Sequence, residues 1–141
     1  MGKLVELFRG RSKEKAEAAR VVREEKMRLA KEVGALIRTG HYDHPILEVL
    51  VFGSVARGDC DAGSDLDIAV VFDVQWADCG EGWLGKVKNS FYELSRGRYP
   101  GLWVPGYRPP FHFTVLARNV FEGLGDISRL MQSIHEDGIV I

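Results

Sequence analysis

The chain has 141 residues, of which 45% are hydrophobic and 28% are charged, and its formal net charge is −1. A chain of this length buries one core of ordinary size, so residues 1–141 are predicted to form a single domain, with a helical segment over 1–40 and a core over 46–141. No apolar run reaches the roughly eighteen residues of a membrane span and the opening residues do not form a signal peptide, so we expect a cytoplasmic protein without a membrane partner.

Charge is distributed unevenly along the chain. Residues 1–40 carry eleven Lys and Arg against six Glu, whereas the remainder carries eight Lys and Arg against fourteen Asp and Glu. A basic segment of this kind is typical of contact with nucleic acid, of contact with an acidic protein, or of a helix with a solvated charged face. We favour the solvated helix and leave nucleic acid open as a partner.

The first predicted element is a long amphipathic helix from Ser12 to Thr39. Apolar residues recur there at three- and four-residue steps and proline is absent. Ser12 is the predicted N-cap and Gly40 the C-terminal stop. Because such a helix is about 40 Å long by its rise per residue, we expect it to overhang a small domain. The overhang is a candidate docking surface for another protein or for a second copy of the chain.

Four strands and two more helices are predicted after this helix. The strands are expected at Ile46–Phe52, Leu66–Phe72, Phe111–Ala117 and Gly138–Ile141, and the helices at Trp83–Arg96 and Val120–His135. Residues 97–110 hold four prolines and three glycines, which is typical of a loop or a turned hairpin. The order predicts an α/β (α+β) domain with a small mixed sheet of about four strands flanked by helices.

The connection between the first two strands concentrates negative charge. Asp59, Asp61, Asp65 and Asp67 lie within nine residues, and Arg57 is the cation closest to them in sequence. Strand alternation places Asp65 and Asp67 on one face. Two carboxylates about 6 Å apart repel by roughly 3 kcal/mol at an effective dielectric constant near 20, so a fold that fixes such a pair normally supplies a cation. Oxygen ligands on a rigid strand suit Mg²⁺, which completes its shell with water and substrate phosphates. The pair therefore predicts metal-assisted phosphoryl chemistry.

The turn that precedes the acidic segment suits an anion. Gly53 lets a phosphate approach the backbone, and Ser54 offers its N–H and its hydroxyl at the start of a short helix. Arg57 is a candidate bidentate phosphate ligand, with pairing to a nearby aspartate as an equal alternative. We therefore expect an anion site and a cation site side by side.

These residues resemble the minimal nucleotidyltransferases of the DNA polymerase beta superfamily, which include antitoxin-type domains. The resemblance rests on Gly53-Ser54, on Ala56-Arg57-Gly58 and on Ser64-Asp65-Leu66-Asp67. The segment Ile134–Val140 is similar to the last helix and strand of the family, so residues 46–141 are covered. The resemblance implies a nucleotidyltransferase-like fold and the transfer of a nucleoside monophosphate from a nucleoside triphosphate, expected to be ATP, to an acceptor, with pyrophosphate leaving.

Carried over residue by residue, the resemblance assigns Asp65 and Asp67 as catalytic residues and as ligands of Mg²⁺, with Mn²⁺ as the alternative ion. The candidate nucleotide-binding residues are Gly53, Ser54, Arg57 and Ser64. Many proteins of this family work beside a helical partner chain, either a toxin or a substrate-binding subunit. The alternative function is therefore that of a catalytically weakened, nucleotide-binding antitoxin or regulatory subunit.

The chain departs from the family pattern on the third strand. Family members usually place a third carboxylate there, where it helps to hold the metal that activates the attacking hydroxyl, whereas the segment Phe111–Val115 contains no Asp or Glu. His112 or Thr114 is expected in its place. His112 is the candidate substitute because imidazole binds Mn²⁺ or Zn²⁺ better than Mg²⁺ and serves as a general base, although a structural histidine is the alternative. Nucleotide binding is accordingly expected to survive better than catalysis.

Overall fold

The fold is a mixed sheet with helices on both of its faces. The computed structural model describes residues 2–106, 108–123 and 128–141, with side chains from residue 12 onward. The elements are α1 (Gly2–Arg38), β1 (Ile46–Phe52), α2 (Gly53–Arg57), β2 (Leu66–Phe72), α3 (Trp83–Arg98), β3 (Phe111–Ala117), α4 (Arg118–Gly123), α5 (Arg129–Asp137) and β4 (Ile139–Val140).

The strands lie in the order β3-β2-β1-β4. Strand β1 is antiparallel to both β2 and β4, whereas β2 and β3 are parallel. The two parallel strands are joined by a crossover that contains α3, as a parallel connection requires. Phe52, the last residue of β1, is the partner of Asp67 on β2, and His112 on β3 is the partner of Asp67 on the other side. The register thus brings three separate segments to the start of β2.

Two apolar clusters cover the two faces of the sheet. The larger cluster joins α1 and α3 to the alternating residues Ile68, Val70 and Phe72 of β2. The smaller cluster joins α5 to Ala69 and Val71, which point to the opposite face. Asp67 shares the second face and lies opposite Phe52, which belongs to the smaller cluster. The sheet therefore carries a carboxylate at the end of a strand that is otherwise buried.

The predicted fold class and three of the four strands are confirmed with their bounds. The long helix is confirmed as well, but the N-cap predicted at Ser12 is wrong, because α1 begins at Gly2. Residues 2–11 contain good helix formers and no proline, so a single serine does not interrupt them. The helix Trp83–Arg98 runs two residues beyond its predicted end.

The prediction of one continuous helix over Val120–His135 is wrong. The structure has α4 and α5 as separate helices, and residues 124–127 between them lie outside the described residues. Ser128 has an extended backbone, and its hydroxyl accepts a hydrogen bond from the Met131 N–H at 3.1 Å. An N-cap of this kind starts a new helix, since a serine side chain replaces the missing acceptor of the first turn. The closing strand is limited to Ile139–Val140.

One edge of the sheet is β3, and a side chain from α3 contacts it. The Phe113 N–H donates a hydrogen bond to the Tyr92 hydroxyl at 3.1 Å. Of the segment predicted as a loop or hairpin, residues 97 and 98 extend α3, and the described residues 99–106 and 108–110 contain a short 3₁₀ turn at Pro100–Leu102 and no strand. In the described part of the chain, no helix is both long and apolar enough to cross a membrane.

Removal of the Phe91 ring is expected to destabilise the sheet on the α3 side. Phe91 is 1% exposed and contacts the rings of Tyr42, Phe72 and Phe113. Phe91→Ala is expected to lower the free energy of unfolding by about 3–5 kcal/mol, because a buried ring leaves a cavity. Urea denaturation of the variant and the wild type measures this difference in the free energy of unfolding. Trp76→Ala is the control, since Trp76 is 61% exposed, and an equal loss in both variants would contradict the placement of Phe91 in the core.

Candidate active site

The turn between β1 and α2 lies against the carboxylate of Asp67. Gly53 has a φ of +72°, a backbone conformation that side chains other than glycine rarely adopt. A Cβ atom at this position would overlap Asp67 Oδ2 and lie 3.1 Å from Asp67 Cγ. Glycine is therefore required for two reasons, and the predicted phosphate-binding turn is in contact with a predicted metal ligand.

Helix α2 is one short turn whose end is closed by a second glycine. The carbonyl of Ser54 accepts hydrogen bonds from the N–H groups of Gly58 at 3.0 Å and Asp59 at 3.1 Å. Gly58 has the left-handed backbone typical of a helix C-terminus, with φ at +86°. These bonds fix Ser54 directly beside Gly53, at the end of β1. A role for Ser54 in phosphate binding stays a prediction that this position favours.

Arg57 is paired with carboxylates. Its Nε lies 3.2 Å from Asp59 Oδ2, and its Nη1 lies 3.6 Å from Asp137 Oδ2 on α5. The hydrogen bond with Asp59 and the negative charge of Asp137 raise the pKa of the Arg57 guanidinium. Arg57 was expected either to bind phosphate or to pair with a nearby aspartate, and the structure shows the pairing. The role of Arg57 as a nucleotide ligand stays a prediction.

Ser64 belongs to the tight turn that leads into β2. Its hydroxyl accepts a hydrogen bond from the Asp61 N–H at 2.9 Å and lies 3.2 Å from Asp61 Oδ1. The ammonium group of Lys26, on α1, donates a hydrogen bond to the Ser64 carbonyl at 2.8 Å. These contacts fix the backbone immediately before Asp65. Ser64 is thus placed to position Asp65, and direct nucleotide binding by Ser64 stays a prediction.

Asp65 and Asp67 interact with each other at the start of β2. Asp65 precedes the strand by one residue, and the two side chains are 31% and 24% exposed. Burial raises the pKa of the Asp67 carboxyl above its ordinary value, His112 opposes this effect, and the negative charge of Asp65 adds to it. The two carboxylates therefore share one partly buried site, in which the ionised state of Asp67 is poorly stabilised.

His112 is the third member of the site. Its Nδ1 lies 3.3 Å from Asp67 Oδ1, and its side chain is 48% exposed. The parallel register makes His112 the partner of Asp67, whereas Thr114 is the partner of Ala69, farther along the strand. Of the two polar residues considered for the place of the missing third carboxylate, His112 is the one in contact with Asp67.

A cation from the loop before β3 also reaches the acidic pair. Arg108 Nη1 lies 4.0 Å from Asp65 Oδ2, with the Arg108 side chain 79% exposed. An exposed pair at this separation is weak, because solvent screens it.

The sequence analysis assigned no individual role to Lys26 or Asp137, because no local pattern links residues so distant along the chain. The contacts of Lys26 with Ser64 and of Asp137 with Arg57 are formed by the tertiary structure.

The site meets the requirements of a magnesium ion that is bound together with its substrate. Among the described residues, no three side chains of His, Cys, Asp or Glu converge as a ready-made metal site. Mg²⁺ does not need one, since it uses one or two carboxylates, several waters and the phosphates of the substrate. Asp65 and Asp67 provide that number of carboxylates next to a turn that a phosphate can approach. The residues therefore fit this ion.

Comparison with known proteins identifies the family. The sequence profile of the nucleotidyltransferase domain family matches residues 26–124, more than half of the chain. The chain belongs to this family, and the prediction of a minimal nucleotidyltransferase is confirmed. The matched region contains both carboxylates of the pair, the Gly53 turn and His112.

A solved structure with a similar fold agrees with this result. It is the crystal structure of a candidate nucleotidyltransferase from Sulfolobus solfataricus, which is similar to this chain with a TM-score of 0.52. The two sequences are 24% identical, and the similarity covers 87% of this chain and 85% of the other. At 24% identity, this similarity is evidence for the fold alone. Comparison with curated proteins gives no match.

Substitution of Gly53 tests the contact between the turn and the carboxylate. Gly53→Ala is expected to lower the free energy of unfolding by about 1–2 kcal/mol through the left-handed backbone alone, and to displace the Asp67 carboxylate. Gly85, on the exposed side of α3, has open space around it. Gly85→Ala is the control and is expected to raise stability by roughly 0.5–1 kcal/mol. Chemical denaturation of both variants measures the difference, and a neutral Gly53→Ala would contradict the contact.

Asp67→Asn is expected to stabilise the ligand-free protein at neutral pH. A folded pKa above the unfolded value means that the native state binds this proton more tightly, so ionised Asp67 reduces stability above its folded pKa. This penalty disappears as the pH falls below the unfolded value, which is about 4. The variant should therefore melt higher than the wild type, by on the order of 2 °C near pH 7, with a smaller gain at acidic pH.

The control for this measurement is the exposed residue Asp43. Asp43→Asn is expected to leave the melting temperature nearly unchanged at either pH, because solvent stabilises an exposed carboxylate. A melting temperature of Asp67→Asn that falls at neutral pH, with Asp43→Asn unchanged, would show that the contact with His112 outweighs the burial of the charge.

Proposed function

We propose that the protein transfers a nucleoside monophosphate from a nucleoside triphosphate, with ATP as the first candidate, to an acceptor hydroxyl or phosphate. The acceptor oxygen forms a bond to the α-phosphorus, and the bond from this phosphorus to the oxygen bridging to the β-phosphate breaks. Pyrophosphate leaves with that electron pair, and the acceptor proton passes to a base. Membership of the nucleotidyltransferase domain family supports nucleotidyl transfer in general.

The observation that carries the proposal is the contact of Gly53 with Asp67. A triphosphate on the Gly53 turn would have its phosphates beside the acidic pair, and two groups of negative charge can share that space only with a cation between them. Asp65 and Asp67 would hold Mg²⁺, which supplies charge neutralisation and alignment of the attacking and leaving oxygens. Ser54 would donate hydrogen bonds to the phosphates from the adjoining position.

We propose that His112 takes the third position of the site, where it would contact the acceptor. Its ring nitrogen contacts Asp67, and its half-exposed side chain is accessible from solvent. An imidazole at this point can accept the proton of the attacking hydroxyl. It is a weaker ligand for Mg²⁺ than a carboxylate and a better one for Mn²⁺. We therefore infer that transfer is faster with Mn²⁺ than with Mg²⁺.

A second candidate function follows from the same residue. If the imidazole does not replace the missing carboxylate, the protein binds nucleotide without rapid turnover and acts as an antitoxin or regulatory subunit beside a helical partner chain. Residues 12–20 of α1 are exposed and extend beyond the contacts with the sheet. This part of α1 is the surface that such a partner, or a second copy of the chain, would use.

Transfer of label from α-³²P-labelled ATP tests the two functions. The wild type is expected to label an acceptor with either ion, and faster with Mn²⁺. Asp65→Asn should reduce the rate by roughly a hundredfold or more, since a few kcal/mol of transition-state stabilisation corresponds to that factor. His112→Asp should shift the preference toward Mg²⁺ because it restores a carboxylate.

Asp43→Asn is the control for the loss of one acidic side chain, because Asp43 is exposed. Magnesium-dependent binding of ATP without transfer by the wild type, together with transfer by His112→Asp, would select the regulatory function. Absence of both binding and transfer in all variants would contradict the nucleotidyltransferase assignment of this site.

A further inference from the structure

Two basic residues of α1 contact the backbone of the segments that carry the candidate site. Arg23 donates two hydrogen bonds to α2, from Nε to the Val55 carbonyl at 3.0 Å and from Nη2 to the Ala56 carbonyl at 3.2 Å. Lys26 Nζ donates to the Ser64 carbonyl at 2.8 Å. The α2 turn and the segment before β2 are therefore both tied to one helix.

The charges of these two residues are not used in ion pairs. Arg20, which precedes them on α1, pairs with Glu17 at 2.8 Å and with Glu24 at 3.8 Å, as basic residues on a helix surface commonly do. Among the described residues, no carboxylate lies within 4.0 Å of Arg23 or Lys26. A charged donor forms a stronger hydrogen bond with a carbonyl than a neutral donor does. The positive charge of both side chains is thus directed at backbone oxygens.

Helix α2 needs support from outside. It has five residues, and a helix of that length is not stable by itself. The last carbonyls of a helix lack donors from the helix itself, and at the end of α2 Arg23 supplies a donor to two of them. Arg23 also lies against Gly58, where a Cβ atom would be 3.5 Å from Arg23 Nε. Because α2 begins at Gly53, this support holds the turn that is predicted to bind phosphate.

Lys26 supports the start of β2 in the same way. The Ser64 carbonyl belongs to the peptide group that joins Ser64 to Asp65, and a peptide group is planar. A donor that holds this carbonyl therefore also orients the backbone of Asp65. On the other side of Asp65, the Leu66 N–H donates a hydrogen bond to the Pro110 carbonyl at 3.0 Å. The Asp65 carboxylate is thus carried on a backbone that is held on both sides.

One rigid element sets the distance between the two supported segments. Arg23 and Lys26 are three residues apart in α1, which places them on one face of the helix, about 4.5 Å apart along its axis. The helix is anchored to the sheet through Ala30, Val33 and Ile37, each of which is 0% exposed. The turn and the acidic segment are therefore held against a common support.

This support is separate from the contact of Gly53 with Asp67, which joins the same two segments inside the site. The profile of the nucleotidyltransferase domain family matches residues 26–124, so Arg23 precedes the matched region. A displacement of about 1 Å between reacting groups can cost about a hundredfold in rate. A second tie between the turn and the acidic segment therefore bears on how a phosphate and a metal ion would be aligned.

We propose that Arg23 and Lys26 are positioning residues, which hold the Gly53 turn and the acidic pair in one fixed arrangement for the triphosphate and its metal ion. Neither side chain would touch the reactants. The inference rests on the proposed function, because the groups that are positioned are the proposed phosphate turn and the proposed metal ligands.

The test measures how much Mg²⁺ strengthens the binding of inorganic tripolyphosphate, by isothermal titration calorimetry with and without the ion. In the wild type, Mg²⁺ is expected to lower the Kd at least roughly tenfold, since the ion would link the phosphates to the carboxylates. Arg23→Met and Lys26→Met should each reduce this gain by about fivefold or more. Loss of a nearby positive charge by itself favours a bound cation, so charge alone would change the gain in the opposite direction.

Matched variants of α1 serve as controls. Arg28→Met and Lys31→Met, at exposed positions of the same helix, should change the gain by less than about twofold. Lys26→Arg keeps a charged donor for the single Ser64 carbonyl and should retain most of the gain. Arg23→Lys should retain only part of it, because an ammonium group lacks the planar fork with which a guanidinium donates to two acceptors.

Amide hydrogen exchange of the same variants locates the effect. Arg23→Met should speed exchange within residues 53–59, and Lys26→Met should speed exchange within residues 61–66. Exchange within residues 49–51 of β1 should stay as slow as in the wild type, because these residues lie in the core of the sheet. A merely structural role would instead speed exchange throughout the sheet.

The outcomes distinguish this inference from the function on which it rests. An unchanged gain in both Arg23→Met and Lys26→Met, with tripolyphosphate still bound, would overturn the positioning role alone. A reduced gain together with faster exchange throughout the sheet would also overturn it. Failure of the wild type to bind tripolyphosphate in the presence of Mg²⁺ would overturn the proposed function, and this inference with it.

Discussion

The close approach of the Gly53 backbone to the Asp67 carboxylate is the constraint on which the site depends. It requires a residue without a side chain at the end of β1, and it requires β1 and β2 to be paired in one register. The carboxylate is held at the end of a strand whose other residues are buried, so solvation of its charge is incomplete. A bound cation would supply the missing stabilisation. Under the proposed function, the bound metal ion and triphosphate would balance the charges that the fold brings together here.

The sequence predicted the elements that have strong local signals. Strands β1, β2 and β3 are apolar runs bounded by glycine, proline or charged residues, and their predicted limits agree with the structure. The predicted start of α1 and the predicted continuous helix over Val120–His135 were wrong because a single serine can lie inside a helix or begin one. Within α1 it is one residue of a continuous helix, whereas at Ser128 it caps a new one. Local sequence does not decide between these outcomes.

The candidate site was predictable where its residues are neighbours in sequence and not elsewhere. Alternation along β2 identifies Asp65 and Asp67, and the glycine before them indicates a turn. The contact of His112 with Asp67 depends on the register of two parallel strands separated by a helical crossover, and the contact of Lys26 with Ser64 depends on the packing of α1. Such contacts are set by the tertiary structure, so the sequence left His112 and Thr114 as alternatives for the third position.

The hydrogen bond from Phe113 to Tyr92 has a consequence for self-association. An edge strand with free N–H groups is a template on which strands of other molecules can add, and this leads to aggregation. On β3, the N–H group of Phe113 is already occupied by the phenol of Tyr92 from α3, and the rings of the two residues pack edge to face. This bond removes one of the N–H groups of β3 to which a strand of another molecule could pair, at the residue that follows His112.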